Sequence, residues 1–255
     1  MLQVGARSGV EREPELEDVL EAPARVAQRE KRRLVVVFDE FQRILEYKSD
    51  LVERMLRSRV QRHPEIAYFF LGSRKHLMRT MFLDAARPLY RAAGHYPLGM
   101  IAPEHWKPFI RVRFEAAEKA VDEAHIASLC GLTEGHPFYT QHLAHALWEI
   151  TPAGETVTEE KLHEAVAVLL RREETAYATF WETFSRSQQR LLRGLAEEGA
   201  DAQPFSSGFV RAHGLGATSS VQRAAEALLE RDVLDREGGS LVITDRFLRL
   251  WIQRL

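Results

Sequence analysis

The sequence predicts an α/β core, a helical region after it, and a winged helix-turn-helix at the carboxyl end. Two short apolar runs, "LVVVF" and "IAYFF", flank an amphipathic helix and predict neighbouring strands of a parallel sheet. Strand signals then stop, and the middle of the chain is helical in period and composition. The last segment combines three helical stretches with a hairpin tipped by two glycines, which is the element order of a winged helix.

The two strands come from the pattern of apolar residues along the first part of the chain. "RLVVVFDE" is apolar on both faces, rich in β-branched residues and ended by charge, which predicts a strand covered on both sides. The amphipathic helix "DLVERMLRSRVQRH" follows and is ended by Pro64, and "IAYFFLGSR" is the second strand. A strand, a helix and a strand in this order predict a parallel crossover.

Changes in composition divide the chain into four parts. Residues 1–13 lack periodicity and are expected to form a mobile tail. Residues 14–113 form the α/β core, residues 114–184 the helical region and residues 185–255 the winged helix. The core opens with a helical segment that begins at Pro14, and Pro23 is expected to kink or divide that helix.

Composition narrows the class of protein. The chain has 255 residues, a net charge of −2 and one cysteine, so it needs no disulfide framework to build a core. No signal peptide or membrane-spanning run is evident, and we expect a cytoplasmic protein with no membrane partner. The small net charge gives no strong attraction to nucleic acid, so a nucleic-acid site would have to be a local patch.

Polar residues follow both predicted strands at the point where each strand ends. Asp39 and Glu40 follow the first strand, and Ser73 follows the second. Ligands of parallel sheets bind beyond the carboxyl ends of the strands, so these side chains are placed for phosphoryl transfer. One carboxylate could hold magnesium through its water shell and the other could orient or deprotonate the attacking water. The alternative is that both carboxylates merely begin the following helix, where they favour its dipole.

Five short motifs in the correct order resemble a known family, the archaeal-type ATPases of the STAND branch of the AAA+ P-loop NTPases. The resemblance covers residues 33–255. The motifs are "RLVVVFDEFQRI" as the Walker B strand, "FFLGSRKHLM" as the sensor 1 strand, "PLYRAAGHYPLGM" as the arginine-bearing segment, "GHPFYTQHLAHALW" as the Gly-x-Pro element of the helical lid, and "ITDRFLRLWIQRL" in the winged helix. The family's last motif is Asp-Pro-x-x-x-x-Trp, and this sequence departs from it because Arg246 replaces the proline.

The resemblance implies a role for each matching residue. Asp39 would be the magnesium-associated residue, Glu40 the catalytic base, Ser73 the sensor and Arg91 the arginine near the γ-phosphate. The lid element that contacts the nucleotide would consist of Gly135, His136 and Pro137. The implied cofactors are ATP and Mg²⁺, and the implied fold is a partial parallel P-loop-type sheet with a helical lid and a winged helix. Each residue also has a structural alternative: Arg91 on the surface, Ser73 as a strand-end cap, and Gly135 to Pro137 as a helix-start turn.

The phosphate-binding loop of such a site is absent from the sequence. A P-loop reads G-x-x-x-x-G-K-[ST], because its amides cradle the phosphates and its lysine contacts them. None of the 15 glycines here is followed by lysine. A chain that starts late, a loop supplied by a separate polypeptide, and a degenerate relative are the competing explanations. We rank the late start first, and expect weak ATP binding and no hydrolysis by this chain alone.

Two other functions compete with a STAND-type ATPase that acts as a nucleotide-dependent switch. The helical lid and winged helix could form a non-enzymatic module that binds a partner protein or self-associates. The winged helix could also be a DNA-binding regulator, but its third helix carries Arg223 and Arg231 against Glu226, Glu230 and Asp232. This acidic balance does not favour DNA. The final helix instead places an apolar stripe, at Phe247, Leu250 and Trp251, for packing on the lid or on another chain.

Overall fold

The computed structural model describes residues 12–47 and 49–255 of the chain. They divide into two compact units, of which the first ends at Pro97 and the second runs from Leu98 to Leu255. The mobile tail predicted at residues 1–13 lies largely outside the described residues, and the first helix begins at Arg12. No described helix combines the length and the apolar character that crossing a membrane requires.

The first unit is built on two parallel strands. Its elements are α1 (Arg12–Glu30), β1 (Leu34–Phe38), a 3-10 helix (Phe41–Glu46), α2 (Leu51–Arg62), β2 (Ile66–Phe70) and α3 (Lys75–Leu83). The strands pair in register from Leu34 opposite Ile66 to Phe38 opposite Phe70. The strand, helix and parallel strand predicted from the sequence are therefore confirmed.

Helix α1 is continuous through Pro23, so Pro23 does not divide it, and the expected kink at that residue stays a prediction. Proline removes one backbone hydrogen bond and clashes with the preceding turn. The helix is nevertheless held along its length because Leu20, Ala24 and Ala27 are buried on either side of the proline. The two alanines pack with Ile66 of the sheet. Tertiary packing thus overrides the local preference.

The sheet is covered on one face only, which contradicts the prediction that its first strand is covered on both sides. Val35, Val37 and Phe69 are 64%, 54% and 53% exposed, while their neighbours along each strand pack against helices. Parallel sheets are normally buried on both faces, and their apolar strands reflect that burial. The described residues therefore contain an apolar strand pair that lacks a cover on one side.

The second unit is helical and ends in the winged helix. Its helices before the winged helix are α4 (Pro103–Glu115), α5 (Glu123–Thr133), α6 (Pro137–Ile150) and α7 (Glu159–Glu182). The winged helix consists of α8 (Arg186–Glu198), a 3-10 turn (Gly199–Asp201), α9 (Ser207–Ala212), α10 (Thr218–Glu230), β3 (Leu234–Glu237), β4 (Ser240–Ile243) and α11 (Arg246–Ile252). One continuous apolar core joins these helices and the hairpin.

The hairpin of the winged helix forms at the predicted glycines. Strands β3 and β4 pair antiparallel from Leu234 opposite Ile243 to Glu237 opposite Ser240. Gly238 and Gly239 connect them with φ values of 58° and 93°, a left-handed conformation that side chains rarely adopt. The predicted winged helix is therefore confirmed.

Candidate functional site

The ends of the two parallel strands bring Glu40 and Ser73 together. The pairing continues past the strands, since the amide of Leu71 donates to the carbonyl of Phe38 and the amide of Phe41 donates to that of Leu71, both at 2.8 Å. Ser73 lies two residues further, and its Oγ donates a hydrogen bond to Oε2 of Glu40 at 3.0 Å. The predicted juxtaposition of a carboxylate and a hydroxyl at one edge of the sheet is present.

Asp39 and Glu40 are both exposed, and Glu40 is the N-cap residue of the 3-10 helix Phe41–Glu46. Glu40 has φ 49° and ψ 42°, a left-handed conformation that is uncommon outside glycine. Oδ1 of Asp39 accepts a hydrogen bond from the amide of Glu40 at 2.9 Å. The side chain of Glu40 makes no capping bond to the 3-10 helix that follows it. Glu40 thus begins the following helix, as the structural alternative expects, but its side chain does not cap that helix. A left-handed backbone of this kind is frequent at functional sites.

Gln42 is a member of this cluster that sequence reasoning missed. It is 5% exposed, and its Nε2 donates to Oε2 of Glu40 at 2.5 Å and lies 3.3 Å from Oγ of Ser73. Its Oε1 is buried and has no hydrogen-bond partner among the described residues. The sequence contains no clear signal for it, because Gln42 stands between Phe41 and Arg43 and its burial depends on the fold. Gln42 therefore fixes the orientation of Glu40 from inside the core.

Arg91 does not join this cluster within the described residues. Its guanidinium lies 5.1 Å from the ring of Tyr90, and no hydrogen bond or ion pair links it to Asp39, Glu40 or Ser73. Its segment is attached to α2, because Arg57 donates to the carbonyls of Pro88 and Tyr90 at 3.0 and 2.6 Å. The role of Arg91 near a γ-phosphate stays a prediction.

A buried ion pair also ties the arginine-bearing segment to α2. The guanidinium of Arg87 pairs with Glu53, whose side chain is 3% exposed. Burial raises the pKa of Glu53, and the neighbouring Arg87 acts in the opposite direction. Sequence reasoning missed this pair because a single charge on an amphipathic helix carries no sign of its distant partner.

Gly135, His136 and Pro137 form the turn between α5 and α6 in the second unit. Gly135 has φ 68°, and its carbonyl accepts hydrogen bonds from the amide of Ile101 at 3.1 Å and from Nε1 of Trp106 at 3.2 Å. His136 caps α6 by accepting from the amide of Phe138, and Pro137 occupies the first helical turn. The helix-start role is present, and contact with a nucleotide stays a prediction.

The apolar stripe of α11 is buried within the second unit, as its spacing predicted. Phe247, Leu250 and Trp251 are at most 7% exposed, and the ring centroid of Phe247 lies 5.1 Å from that of Tyr139 in α6. Nε1 of Trp251 donates to Glu174 of α7 at 3.0 Å. The final helix is therefore packed on α6 and α7.

Asp245 connects the start of α11 to α6 and α7. Its Oδ1 accepts from the amides of Phe247 and Leu248, and the hydroxyl of Tyr177 in α7 donates to its Oδ2 at 3.1 Å. Burial raises the pKa of both Tyr139 and Tyr177, and the nearby carboxylate of Asp245 adds to the effect. The tyrosines therefore stay protonated and able to donate well above neutral pH.

The donor set suits one part of an Mg-ATP site and lacks another. Exposed carboxylate oxygens, as in Asp39 and Glu40, are ligands that Mg²⁺ prefers. Across the part of the chain that the structure describes, no three His, Cys, Asp or Glu side chains group as metal ligands. The sequence also lacks the P-loop that would cradle the phosphates. The structure thus places two exposed carboxylates and the hydroxyl of Ser73 at the ends of the parallel strands, and their roles in an Mg-ATP site stay predictions.

Comparison with known proteins gives the fold class. The family model described as "Probable winged helix domain" matches residues 175–254. The structure of the Walker-type ATPase PABY2304 of Pyrococcus abyssi is similar, with a TM-score of 0.70 and 16% identity over 99% of this chain and 72% of that chain. The RuvB Holliday junction branch migration motor of Thermotoga maritima matches with a TM-score of 0.47 and 15% identity, over 91% of this chain and 74% of that chain. No curated protein matches the sequence.

These findings define the class of protein. The chain has a P-loop ATPase-like α/β fold with a small parallel sheet, and it carries a winged helix at its carboxyl end.

Proposed function

We propose that this chain is part of a STAND-type AAA+ ATPase that acts as a nucleotide-dependent switch. The observation that carries the proposal is the hydrogen bond of 3.0 Å from Ser73 to Glu40 across the ends of two parallel strands. A base that activates water and a polar residue that senses the terminal phosphate must lie close together. In this proposal Glu40 takes the proton of the attacking water, Asp39 binds magnesium through water, and Arg91 and the turn from Gly135 to Pro137 contact the nucleotide.

The proposal requires a phosphate-binding loop from outside the present sequence. Support comes from the sheet, which exposes Val35, Val37, Phe69 and Leu71 on one face. A further strand and its helix would extend the sheet and cover this face. A P-loop lies between a strand and the helix that follows it, so the same unit would also supply the phosphate-binding loop. An upstream segment or a second polypeptide would provide it.

The first prediction concerns nucleotide binding by the 255-residue chain. Calorimetric titration with Mg-ATP should give a dissociation constant no tighter than about 1 mM, because the amides and lysine that hold the phosphates are missing. The protein encoded by the longest reading frame that contains this sequence should bind Mg-ATP at micromolar concentration if it carries an in-frame P-loop. Micromolar binding by the 255-residue chain would contradict the proposal, and so would a full reading frame that carries a P-loop and does not bind.

A protein-interaction module is the second candidate function. The exposed apolar side chains of the strand pair favour it, because a patch of this kind commonly marks a protein interface. A reading frame that closes directly upstream of Met1, together with concentration-dependent association lost in Val37→Thr, would favour the module over the ATPase. A DNA-binding winged helix is not favoured, since α10 exposes Glu226 and Glu230 beside Arg223.

A further inference from the structure

Two arginines of the winged helix hold the residue that directly precedes the Gly135 turn. Glu134 is the C-cap residue of α5, and its carboxylate forms ion pairs with Nε of Arg246 at 2.9 Å and with Nη2 of Arg249 at 3.6 Å. Both arginines belong to α11. The side chains of Arg246 and Arg249 are 2% and 15% exposed and that of Glu134 is 37% exposed, so water reaches the contact only from the side of the carboxylate.

The arginines are themselves fixed to the winged helix and to α5. Arg246 donates to the carbonyls of Ile243 and Thr244 at 2.8 and 3.0 Å and pairs with Glu237 of the hairpin at 3.1 Å. Arg249 donates to the carbonyl of Leu132 in the last turn of α5 at 2.8 Å. A shift of α11 or of the hairpin would therefore move the groups that hold Glu134.

The turn itself needs external support. Glu134 and Gly135 are consecutive residues with φ values of 55° and 68°, and a left-handed glutamate is strained unless its surroundings hold it. The amides of Gly135 and His136 donate back to the carbonyls of Cys130 and Thr133 at 3.1 and 3.0 Å. Two ion pairs on Glu134 supply support that the local sequence does not.

We infer that Arg246 and Arg249 are positioning residues for the turn from Gly135 to Pro137, and that they act through Glu134. The winged helix would then set the geometry of the lid turn, and a partner protein that displaces α11 would change it. The claim that the winged helix regulates nucleotide contact rests on the proposed function. The claim that α11 is coupled to the turn does not depend on that function. Because coupling is reciprocal, a ligand at the turn would also alter the winged helix.

The test uses nuclear magnetic resonance of the 255-residue chain without nucleotide. The indole proton of Trp106 is the reporter, because its Nε1 donates to the carbonyl of Gly135. Its signal among those of the four tryptophans is assigned with Trp106→Phe. Hydrogen exchange of the Gly135 and His136 amides gives a second reading of the same turn.

Two mild variants, Arg249→Met and Glu134→Gln, should shift the Trp106 signal and speed exchange of both turn amides by about tenfold, as expected for the loss of a partly buried ion pair to Glu134. Arg249→Lys keeps the charge and should recover part of the effect. Arg223→Gln, on the exposed face of α10, is the matched control and should leave both readings unchanged.

Two results would overturn the inference. One is that both variants give the same Trp106 indole signal and the same exchange rates of the Gly135 and His136 amides as the unchanged chain. The other is an equal rise in exchange throughout the second unit, because the ion pairs would then stabilise the unit without acting on the turn. Failure of Mg-ATP binding by a full reading frame that carries a P-loop would refute the proposed function and leave the coupling result standing.

Discussion

Replacement of Arg246 by methionine is expected to lower the free energy of unfolding by about 3–5 kcal/mol, the usual loss when one partner of a buried ion pair is removed. The guanidinium is almost fully buried and contacts Glu134, Glu237 and two carbonyl groups. Methionine fills similar space but removes the donors to Glu237 and the two carbonyls and the nearer of the two cations beside Glu134. Urea denaturation followed by circular dichroism measures the change.

A control variant and a rescue variant isolate the contribution of the Arg246 charge to stability. Arg223→Met, on the exposed face of α10, should change stability by less than about 0.5 kcal/mol. Adding Glu134→Gln and Glu237→Gln to Arg246→Met should recover part of the loss, because no carboxylate is then left without its cation. A loss below about 1 kcal/mol for Arg246→Met would contradict a central role for the cluster.

The Gly135→Ala variant should lose about 3 kcal/mol, since a left-handed alanine costs about 1–2 kcal/mol and the new methyl group adds a clash. A Cβ at this position would lie 2.4 Å from the carbonyl oxygen of Ile101, which is backbone and cannot turn aside. We expect the hydrogen bonds from Ile101 and Trp106 to the carbonyl of Gly135 to break first. Thermal unfolding and the indole signal of Trp106 measure both effects.

Gly154→Ala separates the clash from the backbone strain. Gly154 has φ +80°, and a Cβ there would meet nothing within 4 Å. This variant should therefore lose only the conformational part, about 1–2 kcal/mol. Equal losses in the two alanine variants would show that the contact with Ile101 does not constrain the turn.

The sequence predicted most of the fold because its elements have clear local signals. The apolar runs gave both strands, and Gly238 with Gly239 marked the hairpin that forms there. The expected burial of "LVVVF" on both faces was wrong, because apolar residues on both faces indicate a complete sheet and the described residues cover only one face. Pro23 does not divide α1, because buried residues on either side of it hold the helix in place.

Within the candidate site, the sequence predicted only the residues that directly follow the two strands. Glu40 and Ser73 meet as expected because parallel strands end at one edge of a sheet. Gln42, Glu53 and the contact of Arg246 with Glu134 were not predictable, since each depends on a partner far away in sequence or on burial that local periodicity does not encode. The replacement of the motif's proline by Arg246 was visible in the sequence, but its ion pairs were not.

Turnover of ATP by Glu40→Gln tests the central claim most directly. The measurement uses the protein from the full reading frame. Glu46→Gln is the control, because Glu46 is exposed at the end of the 3-10 helix that begins after Glu40. Glu40→Gln should retain Mg-ATP binding and lose turnover by about 100-fold or more, as expected for removal of a general base. The Glu46→Gln control should hydrolyse ATP at the rate of the unchanged protein. Equal turnover by Glu40→Gln and the unchanged protein would contradict the assignment of Glu40 as the base.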